Sequence, residues 1–170
     1  QGGQGDDKFI RPPHLDNGGN DVLIISLLVS LVIVGVQQLV DYLNALTFTE
    51  EDIGYLRSIG IFNEEFLSYL SDFKFSCDIW AVPEGTPIFP GEPIVTVRGP
   101  VIQAQLIETM LLLTINHQSL VATKANRIVR AAQGRAVMEF GSRRAQGPDG
   151  AIYGARAAYI GGVAGSADTA

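Results

Sequence analysis

The chain has 170 residues, 46% hydrophobic and 18% charged, with 12 Lys+Arg against 18 Asp+Glu for a formal net charge of -6. That is apolar content enough for one domain with a core, and it excludes a disordered segment and a general nucleic-acid binder. A single Cys77 excludes an internal disulfide framework, and His14 and His117 offer no set of ligands with zinc-like spacing, so no metal site is expected and the cytosol is the natural compartment.

Residues 1–20, QGGQGDDKFIRPPHLDNGGN, carry Gly, Pro, Asp and Asn with almost no apolar periodicity and read as an irregular lead-in. The absence of an initiating Met points to a processed chain or a piece of a longer one. Residues 21–35 open an atypical apolar run, DVLIISLLVSLVIVGVQQLV over 21–40, whose uncharged core is about long enough to cross a bilayer. Two readings stand, a membrane span and a buried strand. Gln37 and Gln38, the acidic flanks Asp21 and Asp41, and the β-branched content favour the strand.

From Val36 the spacing of Leu39, Val40 and Leu43 is helical. Thr49 followed by Glu50, Glu51 and Asp52 predicts a capped helix that Gly60 ends, and Asn63 predicts a second cap ahead of a buried face of Phe66, Leu67 and Leu70. Residues 74–100 change character, with β-prone runs separated by Pro-Glu-Gly and Pro-Gly-Glu-Pro turns. They predict about three strands in a compact barrel or sandwich.

Pro100 then opens a helical stretch that runs to Gly134. Its first half is apolar nearly all round and is expected to be buried, so that Gln105, Glu108 and Asn116 need hydrogen-bond partners and His117 is a hydrogen-bonded core residue. Its second half places Val121, Ala125, Ile128, Val129 and Ala132 on one face, with Lys124, Arg127 and Arg130 towards the other. On this reading residues 36–133 form an α+β domain with long connecting helices. Residues 134–170 begin an α/β unit: AVMEF as a strand, a loop, a small-residue-rich helix or close-packed turn, and VAGSADTA as the next strand.

Charge is divided along the chain. Residues 1–108 hold 5 Lys+Arg against 15 Asp+Glu, whereas 109–170 hold 7 against 3, with Lys124, Arg127, Arg130, Arg135, Arg143, Arg144 and Arg156 close together. Such a local basic field suits a small phosphorylated ligand better than a long duplex. Arg143 and Arg144 directly follow the AVMEF strand, where an α/β unit binds ligands. An RR dipeptide can be a solvated pair on a turn, and this placement favours the alternative of an anion site.

Three blocks, EGTPIFPGEPIVTVRGPVIQAQLIET, INHQSLVATKANRI and MEFGSRRAQGPDGAIYGARAAYIGG, resemble nicotinate phosphoribosyltransferases in order and spacing over roughly residues 36–170. The resemblance implies a type II phosphoribosyltransferase fold: an antiparallel β-domain beside an irregular α/β barrel, of which this chain would be the truncated N-terminal part. The active site would lie at the barrel mouth near a homodimer interface. By similarity Phe140 stacks on the pyridine ring, Arg143 holds phosphate or pyrophosphate, Arg144 supports it, and Ser166 and Asp168 fall near the next ligand-contacting loop. The implied reaction joins nicotinate and phosphoribosyl pyrophosphate into nicotinate mononucleotide and pyrophosphate, with Mg2+ and with ATP hydrolysis coupled through a phosphorylated histidine. That histidine is expected beyond Ala170, and neither His14 nor His117 sits in its motif. The start of the chain departs from the family, whose ligand-contacting Tyr is replaced by the glycine-rich lead-in and the apolar run. Other readings are a phosphoribosyltransferase for nicotinamide or quinolinate, and a non-catalytic remnant that uses 21–40 as a membrane or oligomerisation segment.

Overall fold

The computed structural model describes residues 21–26 and 30–166, and within them the apolar run over 21–40 divides into strand β1 (Asp21–Ser26), strand β2 (Leu31–Val32) and the start of helix α1 (Val36–Ala45). No helix among the described residues is long and apolar enough to cross a membrane. The β-branched residues are used as strands. The Gly-rich lead-in over 1–20 lies outside the described residues, as does His14.

The expected strands of 74–100 are present as β3 (Asp78–Ala81), β4 (Pro87–Ile88) and β5 (Pro93–Gly99). They form neither a barrel nor a sandwich. β5 is the centre of a three-stranded antiparallel sheet in the order β1-β5-β3, with Ile25 opposite Val95 and Ile79 opposite Val97. β4 instead pairs with β2 in a two-stranded ribbon. The prolines and the glycine turn at 90–92 keep these strands short, so the sheet ends before it can curl on itself.

Helix α4 (Val101–Ala131) supplies the other half of the core. Pro100 stands as its N-cap, one residue earlier than the first helical position. Ala104, Ile107, Leu111 and Ile115 recur every three or four residues and meet Ile94, Val95 and Val97 of β5 together with Leu39 of α1. Each large side chain of this set contributes about 1.5 to 3 kcal/mol by leaving water.

The first half of α4 is therefore buried on one stripe and not all round. Leu113 is 63% exposed and Ile102 and Leu112 are also open, while Gln105, Asn116 and His117 face outward and Glu108 is only half-buried. The buried polar residues are their neighbours in helical phase: Gln103, Thr114, Gln118 and Ser119. Gln103 Oε1 accepts from Ser76 N at 2.8 Å and its Nε2 donates to Lys74 O at 3.1 Å, which ties the helix to the approach of β3. In the second half Val121 and Ala125 pack as expected, but Ile128 turns to solvent.

Helices α2 (Glu50–Ile59) and α3 (Glu64–Ser71) form a hairpin packed on Leu106 of α4 through Ile53, Leu67 and Leu70. Both expected caps are made: Thr49 Oγ1 accepts from Asp52 N at 3.2 Å and Asn63 Oδ1 from Phe66 N at 2.9 Å. Gly60 ends α2 at φ 75°.

The extended segment from Leu31 to Gly35 lies between β4 and α4 and is bonded along both edges. On one side Ile33 N donates to Thr86 O at 3.0 Å and Gly85 N to Ile33 O at 2.8 Å. On the other, Val34 N donates to Ser119 Oγ at 3.1 Å, the same hydroxyl donates to Val34 O at 3.2 Å, and Val32 N donates to Thr123 Oγ1 at 2.9 Å. Four helical residues rise about 6 Å and two extended ones about 6.6 Å, so hydroxyls at i and i+4 meet alternate residues of an extended chain.

Gly35 then reverses the chain at φ 110°, with Thr114 O 2.7 Å from where a Cβ would stand. Gly60 has a positive φ but open space around it. Gly60→Ala should cost about 1 kcal/mol from backbone conformation alone, whereas Gly35→Ala should cost on the order of 3 kcal/mol because conformation and collision add. Urea denaturation of the two variants measures the difference, and equal losses would contradict the packing described for the 31–35 segment.

Candidate functional site

The strand expected at 136–140 is β6 (Met138–Glu139), and the one expected after the helix is β7 (Gly165–Ser166). They are parallel, with Met138 opposite Gly165 and Glu139 opposite Ser166, and helix α5 (Gly147–Ile160) connects them. This is the strand–helix–strand unit in which backbone and side-chain groups converge beyond the carboxyl ends of the strands.

The loop leaving β6 carries Phe140 and then a 3-10 turn over Ser142–Arg144, closed by Arg144 N donating to Gly141 O at 2.8 Å and Ala145 N to Ser142 O at 2.9 Å. Phe140 is 58% exposed, and Arg143 and Arg144 are both exposed. Among the described residues neither guanidinium has an ion-pair partner. Ser166 stands at the carboxyl end of the adjacent strand, where its Oγ donates to Glu139 Oε2 at 2.9 Å. Thus Phe140, Arg143, Arg144 and Ser166 are brought to one end of the strand pair. Asp168 lies outside the described residues. An exposed aromatic ring and two exposed guanidinium forks on one loop can hold a flat ring and an anionic oxygen cluster.

The small residues that follow serve packing. Ala157 and Ala158 of α5 pack with Ala122 and Ala125 of α4, and a Cβ on Gly161 would lie 2.5 Å from Ala122 O. Asn126 Nδ2 donates to Gly161 O at 3.3 Å across the same crossing. The glycines and alanines of YGARAAYIGG let α5 approach α4 closely, which fixes where the arginine turn stands.

Arg156 does not belong to the open basic field expected from the sequence. Its Nη2 lies 2.5 Å from Glu84 Oε2 and its Nη1 donates to Glu84 Oε1 at 3.2 Å, with both side chains largely withdrawn from solvent. Glu84 Oε1 also accepts from Gly35 N at 2.7 Å and Gln37 N at 3.4 Å at the start of α1, a helix with no side-chain cap from its own N-cap residue and no acid in its first turn. Burial pushes the Glu84 carboxyl up, but the Arg156 bonds and the two backbone donors together outweigh it and hold the group below its ordinary range. Sequence reading missed this pair and also Glu139. The Glu of the Pro-Glu-Gly turn was the available sign, and its partner lies 72 residues away.

The profile of the nicotinate phosphoribosyltransferase (NAPRTase) N-terminal domain matches residues 29–116, more than half of the chain. The chain belongs to the nicotinate phosphoribosyltransferase family. It is 48% identical over 134 residues to a nicotinate phosphoribosyltransferase of Mycobacterium tuberculosis, an alignment covering 79% of this chain and 29% of that protein. The crystal structure of human nicotinic acid phosphoribosyltransferase superposes with a TM-score of 0.75 at 31% identity, over 86% of this chain and 31% of that one. A nicotinate-nucleotide pyrophosphorylase from Ehrlichia chaffeensis shares the fold with a TM-score of 0.59 at 15% identity, over 87% of this chain and 44% of that one. The chain thus spans less than a third of the length of the M. tuberculosis relative, and its fold is the N-terminal α+β part of a type II phosphoribosyltransferase with the first strand–helix–strand unit of the barrel.

Because the folded Glu84 carboxyl titrates below its ordinary 4.5, its stabilisation is complete above that pH and is lost as the pH falls through the lower folded value. Glu84→Gln should cost about 1 to 2 kcal/mol at pH 7, allowing for the partly open guanidinium, and the gap from wild type should narrow towards pH 3. Urea denaturation at the two pH values checks this, and a gap that is constant with pH would show that the charge of Glu84 is not what matters.

Proposed function

We propose that the protein of which this chain spans the N-terminal part transfers the phosphoribosyl group of phosphoribosyl pyrophosphate to nicotinate, giving nicotinate mononucleotide and pyrophosphate in NAD salvage. The observation that carries this reading is the open Phe140–Arg143–Arg144 loop at the carboxyl end of β6, beside Ser166 at the end of β7. Phe140 offers a face for the pyridine ring. Arg143 takes phosphate or pyrophosphate oxygens and Arg144 supports it, so that negative charge building on the leaving pyrophosphate meets fixed cations. Ser166, at the end of β7, and Asp168, two residues further along the sequence, would contact the same ligand.

The described residues hold no group of three or more His, Cys, Asp or Glu suited to a metal ion. On this reading Mg2+ would neutralise charge on the pyrophosphate, with no ligand set for it among the described residues of this chain. ATP hydrolysis would be coupled through a histidine expected beyond Ala170, since neither His14 nor His117 sits in the family's histidine motif. The enzyme works in the cytosol as a homodimer, whose second subunit closes the mouth beside the arginine turn.

Calorimetric titration of this chain with phosphoribosyl pyrophosphate and Mg2+ tests the reading. Arg143→Ala should weaken binding by about 2 to 4 kcal/mol if the contact is charge-assisted and shielded by the ligand. Unchanged affinity would remove Arg143 from the ligand site. In the chain extended to the length of its relatives, Phe140→Ala should weaken nicotinate by about 1 to 3 kcal/mol while leaving phosphoribosyl pyrophosphate unaffected. A loss of stability without that selectivity would make Phe140 structural.

A further inference from the structure

We propose that Glu139 is a positioning residue for the arginine turn, acting through Gly141, an inference that rests on the reading of that turn as an anion site. Glu139 is the last residue of β6, and both of its carboxylate oxygens are engaged. Oε1 accepts a short hydrogen bond from Gly141 N, and Oε2 accepts from Ser166 Oγ at 2.9 Å. Gly141 O in turn accepts from Arg144 N at 2.8 Å. A continuous series of bonds therefore runs from the end of β7 through one carboxylate to the first peptide of the loop and on to the peptide that closes the turn.

Gly141 bears on the same contact. Its φ is -90°, a conformation open to any residue, so its backbone does not call for glycine. A Cβ there would run into Glu139 Oε1, with Glu139 Cδ next at 3.6 Å, and the flexible carboxylate could make room only by leaving Gly141 N. Glycine at 141 thus lets the carboxylate keep its place on Gly141 N. A carboxylate so near an anion site would weaken binding if left open. Two donors occupy it here, which tempers its charge beside the exposed Arg143 and Arg144.

The test is a double-mutant cycle on this chain with Glu139→Ala, Gly141→Ala and the double variant, together with Glu139→Gln. Two quantities are read: amide hydrogen exchange of Arg144 and Ala145 without ligand, and calorimetric affinity for phosphoribosyl pyrophosphate with Mg2+. Either single alanine variant should speed exchange at Arg144 about tenfold and weaken binding about tenfold, and the double variant should be no worse than either single, because both remove the same contact. Glu139→Gln should stay within about threefold of the parent, since its carboxamide can accept from Gly141 N and donate to Ser166 Oγ. That rescue separates positioning from a general loss of stability. Harmless Gly141→Ala, additive effects in the double variant, or a glutamine variant as damaged as the alanine one would each overturn the proposal. Failure of the parent chain to bind would sink the anion-site reading while the exchange cycle still decided whether Glu139 holds the turn.

Discussion

One carboxylate joins three segments that are remote in sequence. Glu84, in the turn between β3 and β4, accepts from Gly35 and Gln37 at the start of α1 and from Arg156 in the middle of α5. Each partner answers a physical need of the other. Helix α1 begins at a glycine with no capping side chain, so its first amides and the positive end of its dipole require an anion from elsewhere. A carboxylate withdrawn from water requires donors on both oxygens, which the planar fork of Arg156 provides. The acidic and basic parts of the sequence meet at this point, so part of their charge division is internal to the fold.

The segment from Leu31 to Gly35 leads into this junction and explains why it can form. That segment has β4 along one edge and the hydroxyls of Ser119 and Thr123 along the other, so its peptide groups are paired on both sides although β2 itself is only two residues long. The match between four residues of helix and two of extended chain fixes the register of α4 against residues 32 and 34. Once α4 is fixed, its small residues Ala122 and Ala125 set where α5 can lie, and the turn before α5 is placed with it. The geometry of Arg143 and Arg144 is thus inherited from contacts made far from them.

How much of this was legible follows from the range of each interaction. The caps at Thr49 and Asn63 and the stop at Gly60 depend on residues three or four apart, and sequence pattern located all of them. The strand–loop–helix–strand order around the arginines was also legible, because apolar run, glycine break and small-residue run follow one another directly. The phase of α4 was not: a helix with Leu111, Leu112 and Leu113 in succession has no evident outer face, and only the docking of β5 and of residues 31–35 selects Leu111, Thr114, Ile115 and Gln118 as inner. Gln105, Asn116 and His117 were consequently assigned to the wrong side. Arg156 was counted with the open cations for a related reason, since nothing local distinguishes it from Arg143 or Arg144.

The distinction between these arginines bears on function. A guanidinium whose fork already grips a half-buried carboxylate gains little from a ligand phosphate, because binding one anion would mean releasing another and leaving Glu84 without its charge partner. Among the described residues Arg143 and Arg144 have no ion-pair partner, and their turn is held by its own backbone bonds and by the Glu139 carboxylate at Gly141 N. Their side chains are therefore free to adapt to an anion while the peptide frame beneath them stays fixed. On the proposed reading, exposed guanidinium groups on a bonded turn suit a diphosphate, since the cost of ordering is confined to side-chain rotamers and each fork can meet two oxygens at once. Of Arg143, Arg144 and Arg156, only Arg156 grips a carboxylate among the described residues, which is why the proposed anion site rests on the other two.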